Sequence, residues 1–401
     1  MTVFRYSGRT KTGALKKGFI DAKNKKAAIE KLRAQGINAR ELEESKSLLH
    51  KDLAIDRKVK HVDFIIYCRQ FATLVRAGVS IVEATHILGS QTKSKPLKKA
   101  LEEVEEDIRG GLSFSDAAAK HHKVFPPLFI NMMRSGEATG NIDLTLERLA
   151  MTFEKSYNIK KKVQSTLTYP AVLMMLSIVV TLFLMIFIVP TFVDMFDDLG
   201  GEMPALTLLI LKISDFIIAY WWLLIAAFIA AIVGFRMAYK GNRQFHYTVN
   251  LLILRLPVFG PLLQKNVIAR MMRTLSSLFS SAVPILQALT IVEKVVGNPV
   301  VSKVVVEARE SLETGSTLSA PLEKSWIFPP LVTQMTAIGE QTGSLDYMLE
   351  KIADFYEEEV DRTVDTLKSL IEPLMIVFLA FVVGTIVIAI MLPMFSMYEN
   401  M

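Results

Sequence analysis

The sequence predicts an all-α membrane protein with two homologous cytoplasmic helical bundles of about six helices each, three transmembrane helices and a small α+β N-terminal module. Three observations carry this expectation. Residues 125–153, FPPLFINMMRSGEATGNIDLTLERLAMTF, return at 328–356 as FPPLVTQMTAIGEQTGSLDYMLEKIADFY, with thirteen identities over twenty-nine positions. Average residue usage gives about two by chance, so the chain is an internal duplication. Three uncharged apolar stretches, 171–189, 216–235 and 374–392, hold nineteen, twenty and nineteen residues. At 1.5 Å per residue each is long enough to cross a hydrocarbon layer about 30 Å thick. Inside the repeats the apolar residues recur at three- and four-residue spacing, the period of a helix with one buried face.

Composition supports the mixture. The 401 residues are 51% hydrophobic and 21% charged, with a mean hydropathy of +0.35. That is too apolar for an ordinary soluble protein and too charged for a transporter made mostly of lipid-buried helices. A single cysteine, Cys68, excludes an intramolecular disulfide and any cysteine-based metal cluster. It is expected on the apolar face of a helix in a reducing compartment. The net charge is +6, and residues 1–60 alone carry sixteen Lys/Arg against seven Asp/Glu. The basic start reads as a positive-inside cytoplasmic segment rather than as a site for nucleic acid or anionic lipid headgroups. Residues 1–13 contain no apolar run, so no signal peptide is expected.

In chain order, residues 1–45 form the small module: alternation at Val3-Phe-Arg-Tyr, a second short strand at Gly18-Phe-Ile-Asp, then a helix ending at Gly36. Residues 46–60 are polar and read as a linker. The first repeat spans 61–168. It opens with Phe64, Tyr67, Cys68, Phe71, Leu74 and Val75 on one helical face, and Gly78 stops that helix. Ser80 with Glu83 reads as a capping box, and Pro284 takes the place of Ser80 in the second repeat, 265–371. The odd span, 216–235, has a topological reason. Two direct repeats, each a bundle plus one crossing, need a further crossing between them to share one side of the membrane.

Flanking charge sets the orientation. Lys155, Lys160, Lys161 and Lys162 precede the first span, and Arg236, Lys240 and Arg243 follow the second, whereas the loop 191–215 is acidic. The N-terminus and both bundles are therefore expected in the cytoplasm.

No phosphate loop, His-Glu-x-x-His, Gly-x-Ser-x-Gly or calcium loop is present, which argues against an enzyme and against any cofactor or metal. Adjacent His121 and His122 point about 100° apart on a helix and make a poor ligand pair. What remains is the repeated Gly-Glu-x-Thr-Gly turn. Gly136, Gly140, Gly339 and Gly343 permit positive φ or a close approach of two helices. Glu137 and Glu340 suit exposed amides at the start of the next helix, where Asp143 and Asp346 favour the positive dipole end. The alternative is an acidic corner that docks a partner or holds a cation. The acidic runs at Glu102–Asp107 and Glu357–Asp361 read as solvated faces, with a basic partner as the other reading. Glu372, at the mouth of the third span, reads as interfacial rather than as a transport residue.

Two copies of Phe-Pro-Pro…Gly-Glu-x-Thr-Gly…Leu-Glu, followed by Tyr169-Pro170 or Glu372-Pro373 at a span entry, resemble the type II secretion system F family. The opening Phe4-Arg-Tyr…Gly18-Phe-Ile-Asp-Ala is similar to that family's N-terminal segment, and the resemblance covers roughly residues 3–395. Ser135 against Ile338, before the first glycine of the motif, is where the copies vary. The resemblance implies a non-enzymatic platform in the bacterial cytoplasmic membrane, serving type IV pili, a DNA-uptake (competence) pseudopilus or type II secretion. It also implies partners: a cytoplasmic hexameric ATPase, pilin or pseudopilin subunits and other inner-membrane assembly proteins, besides lipid. A homodimer or higher oligomer is expected, and no nucleic acid directly. Pro170 and Pro373 would give the spans a place to bend. A static membrane anchor, or a polytopic transporter or enzyme, are the competing expectations.

Overall fold

The computed structural model describes residues 2–10, 15–22, 25–34, 37–44, 59–188, 190–191, 205–257 and 259–399. Most of the expected linker and of the 191–215 loop lie outside the described residues. The chain divides into two compact units, residues 1–60 with 94–97, and the remainder. In the first, β1 (Thr2–Thr10), β2 (Leu15–Ala22) and β3 (Ile37–Glu44) form an antiparallel sheet of order β2-β1-β3, with α1 (Lys25–Ala34) between β2 and β3. The third strand, INARELEE, is polar at most positions and carries little alternation that a sequence reading can use.

The second unit contains the duplication. The first lobe is built from α2 (His61–Arg76), α3 (Ile81–Gln91), α4 (Lys95–Arg109), α5 (Phe114–Ala119), α6 (Pro127–Thr139) and the start of α7 (Ile142–Phe183). After the first apolar stretch and the acidic residues that follow it in sequence come α8 (Ala205–Gly241) and α9 (Arg243–Arg255). The second lobe repeats the order with α10 (Phe259–Phe279), α11 (Ile285–Val295), α12 (Pro299–Glu313), α13 (Ser319–Lys324), α14 (Pro330–Thr342) and the start of α15 (Leu345–Glu399).

The caps follow the sequence. Ser80 adopts an extended conformation and its hydroxyl accepts from the Glu83 amide at 3.3 Å. Pro284 takes the equivalent extended position before α11, with no side-chain cap. Asn242 and Asn298 cap α9 and α12, each accepting two amides.

The two lobes share a frame but not a packing chemistry. Phe64, Tyr67, Phe71, Phe114, Phe125 and Phe129 are buried together in the first. Their rings meet at 5.2 Å (Phe71–Phe114) to 6.4 Å (Phe114–Phe125) between centroids, mostly tilted or edge-on, the arrangement the ring quadrupole favours. At the matching positions of the second lobe stand Ile268, Met271, Leu275, Leu318, Phe328 and Val332, all buried and mostly aliphatic. Cys68 is fully buried in the first core, and burial pushes its thiol well up from the ordinary value.

Ile142–Ile188 and Leu345–Ile388 are long and apolar enough to cross a membrane. The first includes a π-helical turn, Leu184–Ile188. The second apolar stretch lies in α8, where Leu211–Leu223 and Ile225–Gly241 meet at 53°. The apolar residues from Ala205 onward belong to this same helix. The three helices touch through Met185 and Ile386, packed by Leu211, Ile217 and Val382, and the Ser214 hydroxyl donates to the Met185 carbonyl at 2.9 Å. Elsewhere these helices carry exposed Leu, Ile, Phe and Trp, among them Trp221 and Trp222 at 59% exposure each. That is an apolar surface water would not tolerate.

Candidate functional site

The Gly-Glu-x-Thr-Gly turns are helix corners, and their residues divide the work. Gly140 and Gly343 end α6 and α14 in the left-handed region, at φ 75° and 68°. There a Cβ costs roughly 1–2 kcal/mol. Gly136 and Gly339 instead make room. A Cβ on Gly136 would lie 2.7 Å from the Thr145 hydroxyl, and one on Gly339 would lie 3.0 Å from the Leu345 Cα. Each corner therefore presses one helix against the first turns of the next, where Asp143 and Asp346 sit.

The two glutamates do not cap the following helix, as the sequence suggested. The Glu137 carboxylate accepts from the Phe114 amide at 2.7 Å and from the Ser115 amide at 3.2 and 3.3 Å. Glu340 accepts from the Leu318 and Ser319 amides and from the Ser319 hydroxyl. Both reach back to the short helix of their own lobe, α5 or α13. A six-residue helix has too few internal bonds to hold itself, and its first amides need external acceptors. Spacing along the sequence favoured the nearer helix, and only the tertiary fold brings α5 beneath α6.

The second acidic run is a solvated face only in part: Glu358 is 70% exposed, whereas Glu357 is covered at 15%. It forms the seam between the lobes. Lys155 of α7 lies 2.9 Å from Asp354 and 3.0 Å from Glu357 of α15. Arg273 of α10 meets the same two carboxylates, at 2.8 Å for Glu357. Lys162 reaches Asp361 at 3.2 Å and Asp365 at 3.4 Å. Burial alone would raise the Asp354 carboxyl, but hydrogen bonds from Lys155 and Arg273 hold it below the usual range. Beneath the charges, Leu262, Val360, Val364 and Leu367 are buried with Ile159 and Val163 against them. Near the corners the lobes also join through Thr152 and Ser277, whose hydroxyls are 2.9 Å apart, and through Arg148 and Ser135, which donate to the Ser280 and Ser281 carbonyls. Those carbonyls precede Ala282, a non-glycine residue at φ 58° where the first lobe has Gly78.

One ion pair recurs in both lobes. Arg69–Glu154 in the first lobe and Arg273–Glu357 in the second occupy equivalent positions. The first pair is exposed, at 47% and 43%, and the second is covered by the seam, at 10% and 15%. Sequence reading took Lys155 and Lys162 only as flanking charge before a span and did not single out Arg273, although opposite charges at matched repeat positions, such as Lys162 and Asp365, were a usable signal. The first acidic run is held within its own lobe, Glu105 by Arg109 and His86, and Asp107 by Lys120. Among the described residues no cluster of three or more His, Cys, Asp or Glu side chains has metal-binding geometry.

Two helical lobes related by duplication, each running straight into a helix able to cross a membrane, with corners and seam made of structural contacts, define a duplicated membrane scaffold. Residues 67–190 and 271–393 each match the family model for Type II secretion system (T2SS), protein F, and residues 1–43 match that for its N-terminal domain. The chain belongs to the type II secretion system protein F family. It is 39% identical to the Type IV pilus assembly protein PilC of Thermus thermophilus, over 99% of this chain and 98% of that protein. Identity is 37% with the PilC of Myxococcus xanthus, over 98% of this chain and 94% of that protein. With the Type II secretion system protein F of Pseudomonas aeruginosa it is 30%, over 100% and 99%.

Proposed function

We propose that this chain is the platform protein of a type IV pilus or type II secretion machine in the bacterial cytoplasmic membrane. It couples a cytoplasmic hexameric ATPase to insertion of pilin or pseudopilin subunits into the filament. The observation that carries the reading is mechanical continuity. α7 runs 42 residues from the first Gly-Glu-x-Thr-Gly corner into the apolar stretch, and α15 runs 55 residues from the second. A force on either lobe reaches lipid depth along a single helix.

In this reading the chain crosses three times, by 171–189, 216–235 and 374–392, with the N-terminal α+β module and both lobes in the cytoplasm. The ATPase binds the lobes, and displacement of the lobes is relayed past Pro170 and Pro373, each of which removes a backbone hydrogen bond and marks a point of bending. The Gly-Glu-x-Thr-Gly corners set the angle at which each lobe meets its long helix. The protein works as a dimer or higher oligomer and performs no chemistry of its own.

Two measurements test it. Reporter fusions at residues 120 and 320 should both report cytoplasm, and opposite sides would refute the arrangement. The cognate ATPase should co-purify with the full-length chain; no association, with filaments still assembled when the lobes are removed, would sink the coupling. Crosslinking the lobes to each other separates a moving coupler from a static anchor, since only the anchor keeps assembling filaments.

A further inference from the structure

Where α7 and α15 approach their apolar stretches they line an open, solvent-facing cavity of about 510 Å³, walled by Ser165, Thr166, Tyr169, Lys368 and Glu372. Its walls are matched positions of the duplication. Ser165 pairs with Lys368, and Tyr169 with Glu372, each 203 residues on. One turn earlier, Lys162 meets its own counterpart Asp365 at 3.4 Å. The first copy thus contributes three hydroxyls and the second contributes a cation and an anion one turn apart. Tyr169 and Glu372 each stand immediately before the proline that opens an uncharged stretch. That is the depth at which a crossing helix leaves the headgroup layer. Ser165 donates back to the Lys162 carbonyl at 2.9 Å. Among the described residues Lys368 and Glu372 form no ion pair with each other or with another side chain.

We propose that this cavity binds the headgroup of an aminophospholipid. Lys368 and the hydroxyls of Thr166 and Tyr169 take the phosphate, and the Glu372 carboxylate takes the primary ammonium. The mixed charge selects the ligand. A simple anion would meet repulsion from Glu372 and a simple cation from Lys368, whereas a headgroup with phosphate and ammonium a short link apart satisfies both. Lys368 and Glu372 lie about 6 Å apart along the helix axis, a span such a headgroup bridges. A choline headgroup has no N–H to donate to the carboxylate, and a glycerol headgroup has no positive charge. At this boundary water is depleted, so paired charges count for more than on an open surface. The proposal takes from the functional reading only that α7 and α15 cross the bilayer.

The test uses the full-length protein, equilibrated in detergent with equal amounts of phosphatidylethanolamine, phosphatidylcholine and phosphatidylglycerol of identical chains. Retained lipid is counted by native mass spectrometry. Phosphatidylethanolamine should be retained at least about threefold over either competitor. Glu372→Gln should remove the preference over phosphatidylcholine, and Lys368→Gln should lower phosphatidylethanolamine retention. Equal retention of all three lipids by the wild-type protein overturns the proposal without recourse to any variant, as does a preference that survives Glu372→Gln. Soluble phosphoethanolamine at millimolar concentration should leave the bound lipid in place; displacement would assign the cavity to a free phosphoester and overturn the lipid reading. Failure of the crossings themselves shows separately, as release of the protein from membranes by alkaline carbonate.

Discussion

Replacing Glu137 with alanine isolates what the repeated motif does. The carboxylate is the acceptor for the Phe114 and Ser115 amides. Both residues are nearly sealed from water, at 2% and 1% exposure. The third amide of α5, that of Asp116, is taken by Ser113 at 3.1 Å, so Glu137 and Ser113 together satisfy the start of this short helix. A buried donor left without an acceptor costs about 1–3 kcal/mol. Glu137 is itself half-buried, so water replaces part of the loss, and the lower end applies to each donor. The expected cost is about 2 kcal/mol, or roughly a thirtyfold rise in local opening. Hydrogen exchange on the full-length protein reads this directly in peptides covering residues 112–120. Glu137→Gln keeps an oxygen acceptor without its charge and should cost about half as much. Glu340→Ala should have the same effect on residues 317–320 and none on 112–120. Exchange within twofold of wild type in Glu137→Ala would refute the capping argument.

Two further outcomes follow from the corners and the seam. Gly339→Ala should destabilise the second lobe by about 1–3 kcal/mol, since its Cβ would meet the Leu345 Cα at 3.0 Å. Gly136→Ala first meets a side chain and should be eased by Thr145→Ala; strictly additive thermal midpoints would argue against that contact. The Asp354 carboxyl is held below the usual range, first opposed by burial and then outweighed by Lys155 and Arg273. The seam should therefore be intact above the ordinary carboxylate pKa of about 4 and weaken as pH falls through the lowered value. Asp354→Asn should cost about 1 kcal/mol at neutral pH and flatten that acid dependence; an unchanged acid profile in the variant would count against it.

Local and periodic features were legible in the sequence. The apolar face of α2 was readable from Phe64, Tyr67, Cys68 and Phe71, the Ser80 cap from its three-residue spacing to Glu83, and the left-handed glycines from their place after α6 and α14. Contacts across long separations were not. Nothing near Glu137 in sequence says that α5 lies beneath it, and nothing in the run Glu357-Glu-Glu says that Arg273 and Lys155 face it. A fully solvated acidic face and one that meets lysines across a seam have the same composition; only the partner's position separates them. Carrying the comparison of the two copies on to their charged positions would have pointed to the seam, because Lys162 aligns with Asp365.

That mismatch has a consequence for how such a molecule comes together. The lysines sit on the helix of one copy and the carboxylates on the helix of the other, and because Lys162 and Asp365 are matched positions, a first lobe set against its own kind would bring ammonium to ammonium there. At that position only unlike halves form an ion pair, and covalent linkage supplies them in equal number from a single translation event. Within one duplicated chain, matched positions can carry opposite signs, which two identical copies of a single lobe cannot.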